Sequence, residues 1–243
     1  MLTGVRREAS CLLRAVTGLP TVLGDRTPRL TELPSAGAAT ITTPVILVHG
    51  YLGTGAGWAP LVRSLHRAGV GNVFVLRYDA FAAGVPAAAA ALVAAATTAM
   101  ARAGRPGVHL VGHSLGGVVV RYAVQHLGLD AVTRSVLTVA APHQGTWLAR
   151  FGPGPSAAAL RPGSPILAAL PPLESTPGVR WAAVHAGTDV VVGGRRAAGG
   201  TSVPAYGHLG ILRAPELGDA VLAHLASGED DVDGRLPALS PAG

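Results

Sequence analysis

From residue 44 onward the chain alternates short, wholly apolar runs with longer stretches of helical periodicity. The apolar runs are "VILVHG" (45–50), "NVFVLRY" (72–78), "VHLVGH" (108–113), "SVLTVAA" (135–141) and "RWAAVHA" (180–186), with a shorter "TSVP" at 201–204. They are rich in β-branched residues and short, so they predict strands. Helices are expected near 58–68, 86–103, 115–127 and 215–226. Strands that are apolar along their whole length are covered on both faces, and that requires a parallel sheet between two helical layers. The expected fold is therefore α/β: a doubly wound, mostly parallel sheet of about six core strands, forming one domain over 44–226.

The flanking segments read differently. Leu2, Val5, Ala9, Leu12 and Val16 follow helical spacing, with Arg6, Arg7 and Arg14 off that stripe. An amphipathic helix docked on the domain is favoured there over one lying on a membrane surface. Residues 20–43 form a Pro/Thr-rich lead-in, completing an N-terminal segment of 1–43, and 227–243 read as a solvated, disordered tail. The connection 143–179 is long and rich in Pro and Gly, with a short helical stretch at "SPILAAL"; a small lid or insertion is expected over 144–178. The charge-free run 82–100 is mostly Ala, with Pro86 placed as a first helical residue, so a packed core helix is expected rather than a membrane span.

Composition narrows the partners. The chain has 243 residues, 49% hydrophobic and 13% charged, which suits a compact globule. Its net charge of +6 comes entirely from arginine, because no lysine is present. A nucleic-acid partner would need basic residues clustered with aromatic platforms; here the arginines are scattered and aromatics make up 4%. Arg195 and Arg196 in "GGRRAAGG" (193–200) read as part of a solvated loop. Cys11 stands alone, which rules out an internal disulfide and a cysteine-based metal site.

The chemistry centres on "VGHSLGG", where a strand hands over to a helix. Ser114 there fits G-x-S-x-G, a sharp strand-to-helix turn that holds a hydroxyl out in the open. Chain passing close by would collide with side chains two positions either side, hence Gly112 and Gly116. Leu115 opens the helix, so its amide faces the place where an oxyanion would form. A serine needs a base, and in this architecture the order along the chain is Ser, acid, His. His126 and His224 fall in helical patterns and His185 in a strand, whereas His208 in "YGHLG" follows the last strand in a Gly-flanked loop. Between Ser114 and His208 the acids are Asp130, Glu174 and Asp189. Asp130 follows the helix, at the far end of the sheet, and Glu174 lies in the Pro-rich connection. Asp189 comes just past a strand at the end where the turn opens, so it is the acid expected to orient the imidazole. A second oxyanion donor is expected from the loop "VHGYLGTGAGW", at the Tyr51 amide, with His49 and Gly50 shaping that loop.

Together "VILVHGYLG", "VGHSLGG", "AGTDVVV" and "YGHLGIL" resemble the small bacterial triacylglycerol lipases and esterases of the α/β-hydrolase superfamily, in their minimal form without a cap domain. The resemblance spans roughly 44–226. It implies an α/β-hydrolase fold with Ser114 as nucleophile, Asp189 as acid, His208 as base, and Tyr51 and Leu115 as oxyanion donors. It also implies a lipid or small-molecule ester as substrate and no cofactor; no obligate protein partner is evident, and the scattered arginines argue against nucleic acid. Peripheral contact with a lipid interface is compatible with it. The calcium-binding pattern of larger bacterial lipases is not recognisable, so no metal is carried over. No clear signal peptide is seen, so a cytoplasmic or peripheral location is expected, although the resembled family is often secreted.

Two rivals come from other classes. "GTGAG" (53–57) follows a strand and precedes a helix, and Asp79 ends the next strand, as in a dinucleotide site. Its glycines are spaced G-x-G-x-G rather than G-x-G-x-x-G, and this reading leaves the serine turn unexplained. The other rival is a non-catalytic hydrolase-fold protein that binds a lipid or a partner; five intact site positions argue against it.

Overall fold

The computed structural model describes residues 27–35, 37–51, 53–193 and 200–229. The expected N-terminal amphipathic helix, Arg195 and Arg196, and most of the tail therefore lie outside the described residues.

Among the described residues seven strands form one sheet: β1 (Arg29–Pro34), β2 (Val45–Val48), β3 (Asn72–Arg77), β4 (Val108–His113), β5 (Thr133–Val139), β6 (Arg180–Ala186) and β7 (Thr201–Val203). Their order is β1-β3-β2-β4-β5-β6-β7, and every neighbouring pair is parallel except β1 with β3. The six strands expected from the apolar runs are all present, so the α/β-hydrolase arrangement holds.

β1 is the correction. It lies inside the segment read only as a lead-in, and it pairs antiparallel with β3 from Arg29↔Arg77 to Pro34↔Asn72. Its sequence, RLTELP, carries one leucine for each face. Leu30 packs against one core layer and Leu33 against the other. A strand with a single apolar residue per face has no alternation to detect, and Pro34 suits an edge.

The strand period of two sorts side chains into those layers. Ile46, Val48, Phe74 and Leu76 face the layer of α2 (Gly84–Ala103) and α3 (Leu115–His126). Val45, Leu47, Val73 and Val75 face the layer of α1 (Ala59–Arg67) and α6 (Pro215–Glu229). The charge-free run forms α2, a core helix as expected: Ala88, Ala89, Leu92, Ala95, Ala96 and Ala99 are buried. The expected tail also starts too early. α6 continues to Glu229, whose Oε1 accepts from the Thr43 amide at 3.2 Å and faces His109 Nε2 at 3.5 Å.

Residues 143–179 fold into short pieces: a turn at Trp147–Arg150, α4 (Gly154–Ala159), α5 (Pro165–Ala169) and a turn at Leu173–Ser175. The buried Arg121 on α3 donates to the carbonyls of Leu170, at 3.3 Å, and Pro171, while Gln125 donates to Pro172 O at 3.0 Å. Ser164 caps α5 by accepting from the Leu167 amide.

Two stability predictions follow from this packing. A Cβ on Gly116 would lie 2.2 Å from the Val48 carbonyl oxygen, a backbone atom that cannot swing aside. Gly116→Ala should therefore cost about 3 kcal/mol or more, read as a fall in urea midpoint; an unchanged midpoint would contradict the close approach.

The second concerns acid. Burial pushes the pKa of His49 down to about 4 and those of His113 and His143 down to about 3, and it lowers those of His109 and His224 as well. Below about pH 6.5 the unfolded chain binds protons that these imidazoles refuse in the fold, so stability rises with pH through that window. It is fully present above pH 6.5 and is lost progressively as pH falls toward 3. Each such histidine contributes a slope of up to about 1.4 kcal/mol per pH unit. A urea midpoint that stays level from pH 7 to pH 4 would refute this.

Candidate active site

Parallel strands end at a common edge, and the site is assembled there from the loops after β2, β4, β6 and β7. Ser114 joins β4 to α3 with φ 54° and ψ −123°, a backbone conformation that L-residues avoid at a cost of about 1–3 kcal/mol. Neighbouring contacts hold it there. Its amide donates to Val139 O at 2.9 Å, and a Cβ on Gly112 would come within 2.6 Å of Gly116 O. The turn can close only where both positions lack a side chain.

The structure brings Ser114, His208 and Asp189 together. His208 Nε2 lies 2.8 Å from Ser114 Oγ, and His208 Nδ1 lies 2.9 Å from Asp189 Oδ2. A carboxylate only accepts, so Nδ1 carries the hydrogen and Nε2 is left to accept from the serine hydroxyl. All three residues are buried. The second carboxylate oxygen, Oδ1, accepts from the amides of Val191 and Val192 at 2.8 and 2.9 Å. Burial works to raise the Asp189 pKa, but the N–H of His208 and those two amides outweigh it and hold the group below the usual carboxylate range.

The loop after β2 crosses in front of the serine. A Cβ on Gly50 would sit 2.8 Å from Ser114 Cβ, so only glycine fits. His49 shapes the loop from below: its ring stacks on Tyr78 at 4.5 Å and 16°, and its Nδ1–H donates to Gly50 O at 2.9 Å. The Tyr78 hydroxyl in turn donates to His49 O at 2.8 Å. Tyr51 follows in the same loop; its ring packs on Phe81 at 4.6 Å and its hydroxyl donates to the Pro153 carbonyl in the insertion. Leu115 is the first residue of α3, so its amide has no acceptor within the helix and lies at the positive end of the helix dipole.

Some contributors were not singled out from the sequence. His113 donates through Nε2 to the backbone carbonyl of His208 at 2.9 Å and packs edge-on to Trp58. It occupies the free position of G-x-S-x-G, and an imidazole there, next to the serine, is the signal that could have flagged it. Thr146 donates its hydroxyl to Val191 O, tying the insertion to the loop that holds Asp189. No local pattern encodes that link. Glu174 lies in the turn at Leu173–Ser175, and Asp130 in the turn between α3 and β5.

Above Ser114 and His208 opens a cavity of about 460 Å³. Leu148, Ala149, Ala157 and Leu160 of the insertion form part of its wall, and the Gly53–Gly57 loop with Trp58, Leu212 and Arg213 forms another.

Comparison with known proteins adds two findings. Residues 44–158 match the family described as Palmitoyl protein thioesterase. Among solved structures, the mature lipase BlEst2 of Bacillus licheniformis superposes with a TM-score of 0.68 at 15% identity, covering 83% of this chain and 99% of that one. A metagenome-derived lipolytic enzyme from the study of LipS and LipT gives 0.60 at 15%, covering 84% and 99%. A carboxylesterase of the thaumarchaeon Nitrososphaera gargenis gives 0.60 at 13%, covering 84% and 96%. The chain therefore has the α/β-hydrolase fold, the architecture that these solved lipases and esterases share.

Proposed function

We propose that the protein is a serine hydrolase that cleaves carboxylic acyl esters through an acyl-enzyme intermediate. The observation that carries this reading is the pair of hydrogen bonds from Ser114 through His208 to Asp189, at 2.8 and 2.9 Å, on the floor of a largely apolar cavity. The match to a thioesterase family and the lipase and esterase neighbours support hydrolysis of esters or thioesters in general.

The chemistry follows from where the protons sit. His208 Nε2 takes the Ser114 proton as Oγ attacks the substrate carbonyl carbon, forming one C–O bond and placing negative charge on the former carbonyl oxygen. The Tyr51 and Leu115 amides stabilise that oxyanion, each contributing about 3–4 kcal/mol to the transition state. The charged imidazole is stabilised by Asp189, which its two backbone donors keep ionised. The C–O bond to the leaving group then breaks, and Nε2–H supplies the proton that the alcohol needs. Water repeats the sequence on the acyl-enzyme and regenerates Ser114.

A second reading, thioester rather than oxygen-ester cleavage, is favoured specifically by the family match over residues 44–158. The same groups would serve, since the attack and the oxyanion are the same and only the leaving atom changes. Chain-matched oxygen and sulfur esters separate the two by their kcat/KM.

Hydrolysis of p-nitrophenyl esters from short to long acyl chains is the direct test. Ser114→Ala should lose about 10⁶-fold in kcat, and Asp189→Asn, which keeps the shape but spoils the histidine tautomer, about 10⁴-fold. Wild-type turnover that survives Ser114→Ala would overturn the mechanism.

A further inference from the structure

The glycine-rich run Gly53–Gly57, dinucleotide-like in sequence, has no part in the acyl-transfer steps, yet it forms one end of the cavity. That cavity straddles the edge of the sheet. On one side Ala149 and Leu160 belong to the core layer of α2 and α3. On the other, Trp58 and Leu212 belong to the layer of α1 and α6. Ser114 sits between them, so an ester with its carbonyl at Oγ extends its two halves over opposite faces of the sheet.

The two ends differ in charge. The insertion end is walled by leucine, alanine and glycine, which suits a hydrocarbon chain. The other end is cationic. Among the described residues Arg213 is the one arginine on the cavity wall, and no aspartate or glutamate lines it. Gly57 packs on Leu212, its Cβ position 3.3 Å from Cδ1, which closes the glycine loop onto the segment bearing Arg213. Behind the same loop the Arg77 stem comes within 3.7 Å of the Cβ position of Gly55, and its charge helps to lower the pKa of His49. Neither arginine forms an ion pair with an acidic side chain among the described residues. A guanidinium on the cleft wall, with a second arginine behind the glycine loop and neither ion-paired among the described residues, favours a planar or tetrahedral oxyanion over a neutral group.

Resting on the acyl-transfer reading above, we propose that the end formed by Gly53–Gly57 and Arg213 receives the leaving group of the substrate. The preferred substrates are then esters or thioesters whose alcohol or thiol half bears an anionic phosphate or carboxylate. The acyl half lies under the insertion.

The test compares p-nitrophenyl octanoate with the octanoyl ester of a nitro-hydroxybenzoate, which has the same acyl chain but a carboxylate on the leaving group. Wild type should favour the anionic ester through KM, and salt at about 0.5 M should erode that preference, since exposed charges are screened within a few ångströms there. Arg213→Gln should cut the anionic-to-neutral ratio of kcat/KM about tenfold, and Arg213→Lys should restore part of it. A ratio unchanged by Arg213→Gln, or a preference indifferent to salt, overturns the inference. Turnover of neither ester by wild type would instead bring down the acyl-transfer reading itself. Two further arms separate the sources of the anion: octanoyl thioesters of a phosphorylated pantetheine, and phosphatidylglycerol vesicles. Dependence on Arg213 with the first assigns a soluble phosphorylated thiol, and with the second a lipid headgroup; dependence with neither overturns a phosphate ligand.

Discussion

A contact without any side chain in it underlies the whole site. Gly116, in the first turn of α3, lies against the carbonyl oxygens of Val48 and His49, and a Cβ there would reach within 2.2 Å of the first. Because the helix can come that close to β2, the turn before it is sharp enough to hold Ser114 at positive φ. The same approach brings the loop after β2 across the serine, with Gly50 in contact. The strain at one residue is carried by packing spread over β2, β4 and α3.

The remaining site groups hang on that frame through backbone bonds more than through side chains. Asp189 is fixed by two amides of its own loop, His208 by a carbonyl contact from His113, and the β2 loop by His49 and Tyr78. Several of the bonding groups are imidazoles that burial keeps neutral, so they act as single-proton donors and acceptors rather than as charges. That choice leaves the His208–Asp189 pair, among the described residues, as the one close acid–base contact at the serine.

Much of this was legible in the sequence, for identifiable reasons. Buried parallel strands write themselves as continuous apolar runs, so β2 to β7 could be found and the loops at their shared edge inferred. Once the strands were placed, chain order selected Asp189 over Asp130 and Glu174, because only Asp189 follows a strand at the right edge. β1 was hidden, since Leu30 and Leu33 serve opposite faces and leave no alternation. The extension of α6 to Glu229 was hidden too, because it depends on Thr43 and His109, far away in the chain. His113 and Thr146 act through single hydrogen bonds to backbone carbonyls, and such bonds leave no trace in periodicity or composition.

The way the insertion is fastened separates two properties that a protein often has to trade. Its far half is clamped by Arg121 and Gln125 on α3, while its near half, with Ala149, Ala157 and Leu160, walls the cavity. None of these residues belongs to the turn at Ser114 or to the loop of Asp189. Selection can therefore enlarge, narrow or reshape the room for a substrate by changing a few alanines and leucines, and leave untouched the strained turn on which the fold has already spent its stability.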